Sequence, residues 1–246
     1  MKHMSTADQA YLYNNYSKVA EFYPLNLHKF GQSEHMLCQE LSGFAAAISA
    51  PVLDIGSGTG RSVQAIARSL PRAEIIAVEP STPMRAVLTF CVMQDEDLRQ
   101  RVSIYSEPIQ TVPLPEKLGA IVAYGVFGHF DLGERQQLWQ RLLPRLEKGA
   151  PILVELLPMS KPMNFRQQLV QGQRIGRRTY ESTVNGTVEG GDLVCIRAEW
   201  RISEDGRETQ LIENTNYWHV FSVEDLAREA GLQCKRLSPE SALLWV

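Results

Sequence analysis

Val52-Leu53-Asp54-Ile55-Gly56-Ser57-Gly58-Thr59-Gly60 decides how this chain is read. The first four residues form a short, mostly apolar strand, and three glycines within five residues form the turn that follows. Arg61 to Leu70 carries Val63, Ile66, Ala67 and Leu70 at helical spacing. A strand, a glycine turn and a helix in that order place the turn at the carboxyl edge of a parallel sheet, where ligands bind. Glycine lets a ligand approach the backbone closely, and the helix start offers unpaired N–H donors. A dinucleotide fingerprint, Gly-x-Gly-x-x-Gly, requires glycine at position 61; Arg61 stands there, which weakens a nicotinamide or flavin reading.

Outward from this turn, strand and helix signals alternate. Glu74 to Val78, Val102 to Tyr105, Ala120 to Tyr124 and Pro151 to Leu157 are short apolar strands; Pro83 to Phe90 and Leu132 to Glu147 are helices. Nearly continuous apolar strands between helices imply a parallel sheet covered on both faces. Before the turn, residues 5–50 read as helical, with Tyr16, Val19, Ala20 and Tyr23 on one face and Pro24 as an interruption. After Pro158 the pattern changes. A helical piece over 164–173 is expected to lead into β segments at 179–187, 193–202 and 208–221, with Asp205-Gly206 as a hairpin turn. A closing helix over 223–230 and a terminal strand finish the chain. The expected architecture is α/β, a mostly parallel sheet with helices on both faces.

The chain has 246 residues, 44% of them hydrophobic and 22% charged, the composition of an ordinary globular protein rather than a disordered or fibrous one. Its formal net charge of −3 argues against broad binding to a phosphate backbone, so no nucleic-acid partner is expected. No apolar run approaches the roughly 20 residues of a membrane helix. Without a secretory leader, and with four dispersed cysteines read as free thiols, a cytoplasmic location is expected. No His/Cys/Asp cluster has metal-ligand spacing, so no metal is expected, and neither a Gly-x-Ser-x-Gly elbow nor a P-loop is present.

At the end of the next strand stands Glu79, whose two carboxylate oxygens match two adjacent ribose hydroxyls. Asp54, beside the loop, is placed to meet an ammonium group or to brace the loop. The glycine turn, Asp54 and the spaced Glu79 together resemble the class I S-adenosylmethionine-dependent methyltransferases of the small-molecule type. The resemblance covers about residues 11–157. It implies that the sheet is Rossmann-like and seven-stranded, and that residues 1–246 form one domain: a helical lid (5–50), a cofactor-binding core (51–157), a substrate-covering insertion with antiparallel strands (158–221), and a closing helix and strand (222–246). The resemblance implies S-adenosyl-L-methionine as cofactor, with S-adenosyl-L-homocysteine as product. It also implies a cofactor set of Tyr16, Asp54, Ile55, Gly56, Gly58, Gly60, Glu79, Pro80, Ser81, Met84, Tyr124 and Gly125. Where family members commonly carry an Asp against the adenine amino group, this chain has Pro108, flanked by Glu107 and Ile109, and any of the three could supply that contact.

The same resemblance places His129, in Val126-Phe127-Gly128-His129-Phe130, at the active-site edge. An imidazole there is a candidate general base, or alternatively a packing residue. Tyr11, Phe127, Arg174, Trp218 and His219 are the substrate-side candidates. Arg166, Arg174, Arg177 and Arg178 with Lys161 form a basic run that is either a solvated face or a carboxylate and phosphate reader. The implied activity is methyl transfer to an N or O of a small metabolite such as a natural-product intermediate, by a monomer or homodimer. Two alternatives stay open: a methyltransferase acting on RNA or protein, and a cofactor-binding cyclase, isomerase or binding module that does not methylate.

Overall fold

The computed structural model describes residues 16–25 and 27–246. Its main sheet has seven strands: β1 (Val52–Ile55), β2 (Ile75–Val78), β3 (Val102–Tyr105), β4 (Ala120–Tyr124), β5 (Ile152–Glu155), β10 (Gln233–Arg236) and β11 (Ser241–Trp245). Their order is β10-β11-β5-β4-β1-β2-β3, with β11 antiparallel to both neighbours and the remaining pairs parallel. Every residue of β1, β2 and β5 is buried, because helices cover both faces. The alternation of the strand sorts side chains into two cores. Leu53, Ile55, Ile121, Ala123, Ile152 and Val154 pack on one face; Val52, Ala120, Val122 and Leu153 pack on the other. The strand order reverses between β1 and β4, so a crevice opens at their carboxyl ends, where the glycine turn lies.

Six α-helices accompany the sheet among the described residues: α1 (Leu27–Ser42), α2 (Arg61–Ser69), α3 (Thr82–Met93), α4 (Glu96–Arg101), α5 (Leu132–Leu142) and α6 (Val223–Ala230). Asp131 with Glu134, and Ser222 with Asp225, form reciprocal capping boxes that set where α5 and α6 begin. Arg135 of α5, 1% exposed, binds them together. It donates to Glu229 of α6 at 2.8 and 2.7 Å and to the Phe130 carbonyl at 2.7 Å, and its guanidinium lies 3.9 Å from the Phe221 ring centroid.

A second, antiparallel sheet, in the order β6-β7-β8-β9, is built from β6 (Phe165–Ile175), β7 (Arg178–Gly190), β8 (Leu193–Glu204) and β9 (Arg207–His219). The Asp205-Gly206 turn between β8 and β9 has φ of 49° and 79°, two consecutive positive values that suit the twist of a tight hairpin. Before α1 the chain makes two 3-10 turns, Tyr16–Lys18 and Ala20–Leu25. Val19 and Phe22 of these turns pack against Trp200 and Ile202 of β8, with Phe22 and Trp200 stacked at 5.1 Å. The amino-terminal turns and the second sheet thereby close over the carboxyl edge of the main sheet.

The expected helix over 164–173 is instead strand β6. Its Gln- and Arg-rich sequence suits a helix locally, but the Gly176 turn (φ 58°) returns the chain, and antiparallel pairing with β7 from Arg174↔Thr179 onward decides the backbone. The amino-terminal region is 3-10 rather than α-helical over Tyr16–Lys18 and Ala20–Leu25, and Pro24 lies inside the second of these turns. Within the span 5–50 read as helical, the α-helix runs from Leu27 to Ser42. The long helix over 132–147 ends at Leu142, before Pro144, and the carboxyl terminus has two strands, not one. Residues 5–15 lie outside the described residues. Among those described, no helix is long and apolar enough to cross a membrane, and no cluster of His, Cys, Asp and Glu could hold a metal ion.

Candidate active site

Gly56 and Ser57 donate their backbone N–H groups to the Val78 carbonyl at 2.9 and 3.1 Å, which ties the glycine turn to the end of β2. Gly56 (φ 70°) is required twice over: its dihedral favours glycine, and a Cβ there would stand 2.9 Å from Val126 Cγ2. Glu79 follows β2 directly. Its Oε2 accepts from Gly58 N at 2.8 Å and its Oε1 from Ser81 N at 2.7 Å. Both oxygens are thus held in place, and each keeps lone-pair capacity on its other side. Burial raises the Glu79 pKa, opposed by the Ser81 and Gly58 amides. Asp54 lies just below the turn, 1% exposed. Its Oδ2 accepts from Ser62 Oγ at 2.7 Å, while Oδ1 is buried without a partner, and burial pushes the carboxyl up to about 6.

From this turn a cavity of about 350 Å³ runs beneath the antiparallel sheet. Its far wall is built around His129, which is half-buried. The Tyr16 hydroxyl lies 2.9 Å from His129 Nε2, and the Trp218 ring meets the imidazole edge-on with centroids 4.5 Å apart. His129 Nδ1 is buried without a partner, and burial, then nearby His219, lowers the imidazole pKa to about 4. The ring is therefore neutral across the physiological range. Burial also raises the phenols of Tyr16, Tyr124 and Tyr23, the last to about 12, so all three are neutral hydrogen-bonding hydroxyls. Trp218 lies against Gly128, where an added Cβ would fall 1.9 Å from the indole Nε1. Gly128→Val should therefore push the indole off His129. We expect turnover to fall at least tenfold with ligand affinity at the glycine turn nearly unchanged; equal loss of both would show that the damage is not confined to the His129 end of the cavity.

The structure brings most of the anticipated residues to one place. Tyr16, Ile55, Gly56, Gly58, Glu79 and Pro80 line the cavity, as do Met84, Ile109, Tyr124, Gly125, His129 and Trp218. Asp54, Gly60 and Ser81 stand behind the wall: Gly60 (φ 92°) opens α2, and Ser81 contributes its amide to Glu79. Glu107 is exposed and Pro108 half-buried, outside the cavity wall. Three substrate-side candidates are elsewhere. Phe127 is buried in the core, stacked on Trp139 at 4.8 Å. His219 is one residue past Trp218 and so on the opposite face of β9, with Nδ1 2.9 Å from Asp192. Arg174 is exposed and donates to the Gly176 carbonyl, while Arg177 and Arg178 pair with Asp205 and Glu204; this part of the basic run is a solvated face. Tyr11 lies outside the described residues.

The cavity also contains residues that local patterns did not disclose. Glu34 of α1 pairs with Arg61 at 2.7 Å, and Glu155 ends β5 beside Tyr124. Ser182, Asn214 and Asn216 come from the antiparallel sheet. The alternation Asn214, Asn216, Trp218 was the available signal for the last group, and it marks a face only once the partner strands are known.

Residues 52–149 match the model of a methyltransferase domain family. No functionally curated protein matches the sequence. Similar solved structures include DesVI of Streptomyces venezuelae (TM-score 0.67, 15% identity, covering 97% of this chain and 98% of that one). An amino pentose methyltransferase of Micromonospora echinaspora, involved in calicheamicin biosynthesis and solved with S-adenosylmethionine bound, has a TM-score of 0.67 at 14% identity over 99% and 97% of the two chains. The sugar N-methyltransferase of Streptoalloteichus sp ATCC 53650 gives 0.65 at 13% identity over 100% and 94%. The fold is the one these methyltransferase structures share, and residues 52–149 are similar to a methyltransferase domain family.

Proposed function

We propose that this protein transfers the methyl group of S-adenosylmethionine to an amine nitrogen of a small metabolite. The observation that carries the reading is a cavity that joins the Gly56–Gly60 turn and Glu79 to the wall formed by His129 and Trp218. The wall of His129 and Trp218 lies beyond the glycine turn in the same cavity, where a small acceptor would meet the cofactor's methyl end. The amino-sugar and sugar N-methyltransferases that share the fold support the same class of acceptor.

S-adenosylmethionine, when bound, supplies a methyl group already activated on a cationic sulfonium. Glu79, pinned by the Gly58 and Ser81 amides, would accept both ribose hydroxyls. Gly56 and Gly58 let the cofactor approach the backbone, Ile109 and Met84 offer apolar surface near Glu79, and the unpartnered Asp54 Oδ1 supplies negative charge beneath the turn. Among the described residues, the charged groups lining the cavity are Glu34, Glu79 and Glu155 with Arg61, an excess of acid that favours cationic guests. Enclosure excludes water and holds acceptor and methyl group in line, which supplies much of the rate without a strong base.

The depressed His129 pKa supports nitrogen over oxygen as the acceptor atom. A group that protonates only near pH 4 is too weak a base to take the proton of an alcohol, whereas an amine attacks through its own lone pair once neutral. His129 then serves as a hydrogen-bonding wall residue through Nδ1. The pH profile follows. A histidine base near its ordinary pKa would produce an ascending limb around pH 6.5. With His129 already neutral above about pH 5, we expect no such limb, only a rise following the acceptor amine's own pKa. A limb near 6.5 that vanishes in His129→Ala would restore the base. The first experiment incubates the protein with methyl-labelled S-adenosylmethionine and a size-fractionated cell extract. Label in small amines supports the proposal; label in RNA or protein, or binding without transfer, overturns it.

A further inference from the structure

We infer that the acceptor is a hydroxyl-bearing amine that enters the cavity without a phosphate group, and that Asn214, Asn216 and Ser182 read its hydroxyls. The inference rests on the methyltransferase reading above and adds the acceptor's chemistry. It comes from the underside of the antiparallel sheet. The register places Ser182 opposite Trp200, Ala198 between Val184 and Asn214, and Ile196 opposite Asn216. Side chains two apart on a strand share a face, so Asn214, Asn216 and Trp218 point together into the cavity, Asn214 and Asn216 about 7 Å apart along β9.

The neighbouring positions Val184, Ile196 and Ala198 have no polar side-chain atom. Asn214 is 5% exposed and Ser182 4%, and the Asn216 Oδ1 is buried without a hydrogen-bond partner. A buried amide without a partner is costly, and a ligand that fills its hydrogen-bonding capacity recovers that cost. Carboxamide and hydroxyl groups both donate and accept, so the set matches an alcohol, which does the same. A phosphate or carboxylate only accepts and calls for cationic donors. Among the described residues the cavity's guanidinium, Arg61, is held by Glu34 at 2.7 Å, and no lysine lines the wall. Glu34, Glu79 and Glu155 would repel an anion placed between them.

The test uses the full chain and three sets of probes: free 2-, 3- and 4-amino-deoxyhexoses, the same sugars as 1-phosphates, and cyclohexylamine, which keeps a ring amine but has no hydroxyl. Methyl transfer from labelled S-adenosylmethionine is followed, with S-adenosylhomocysteine affinity measured in parallel. We expect at least one free amino sugar to exceed both its phosphate and cyclohexylamine by tenfold or more in kcat/KM. In Asn216→Leu that advantage over cyclohexylamine should disappear through KM, with S-adenosylhomocysteine affinity unchanged as evidence of an intact fold. Asn216→Ser, which keeps a donor and an acceptor, should recover part of it. Preference for the phosphates, no discrimination among the probes, or an Asn216→Leu variant with unaltered selectivity overturns the inference. Loss of cofactor binding in the unaltered protein would instead sink the methyltransferase reading.

Discussion

Glu79→Ala is expected to weaken S-adenosylmethionine binding by about a hundred- to ten-thousandfold, measured by titration calorimetry. Two hydrogen bonds from ribose hydroxyls to a carboxylate contribute about 1.5–3 kcal/mol each, and each 1.4 kcal/mol is roughly a factor of ten. The substitution also removes the acceptor that holds the Gly58 amide, so the turn loses its brace as well. Stability should move differently. For a carboxylate whose folded pKa is raised, the ionised form is disfavoured by folding, and that cost is present above the folded pKa and relieved as pH falls below it. Alanine removes the cost together with the two amide bonds, so at neutral pH the melting temperature of the cofactor-free protein should change little. Strong loss of binding without loss of stability is the signature of a binding residue. An affinity within threefold of the original would remove Glu79 from the ribose site.

Arg135→Ala is expected to lower the melting temperature by about 10 °C. Removing one partner of a buried ion pair costs about 3–5 kcal/mol, and in a chain of this size each kcal/mol shifts the midpoint by roughly 2–4 °C. Arg135 is fully enclosed, and its loss strands the Glu229 carboxylate, whose side chain is 16% exposed, along with the Phe130 carbonyl. It also removes the cation from the Phe221 face, where the antiparallel insertion rejoins α6. Since the penalty comes from the abandoned charge, Arg135→Met combined with Glu229→Met should recover most of the stability. A shift below about 2 °C in Arg135→Ala, read by calorimetry, would mean that the pair does not hold α5 to α6.

The glycine-turn end of the cavity is legible in the sequence because its pattern is local. Gly56, Gly58 and Glu79 sit at strand ends that hydrophobic runs already reveal, and a turn needing positive φ names its own residue type. The His129 end is not legible in this way. Phe127 and His129 lie two residues apart on a 3-10 turn, so nothing in their spacing tells which side chain enters the core and which the cavity; packing against Trp139 and Trp218 decides it. His219 and Trp218 are adjacent, and the β9 register alone separates them. Glu34 and Arg61 meet across 27 residues with no pattern joining them.

The sequence by itself determined the α/β class, the glycine turn with its carboxylate partner and the antiparallel character of most of the insertion. Each of these is written in short-range periodicity and in residues with few permitted conformations. The tertiary structure alone decided that residues 165–175 are a strand, that Asn214 and Asn216 face the cavity, and that His129 is buried enough to lose its basicity. Those properties depend on strand pairing and desolvation by residues distant in sequence, which no local window contains.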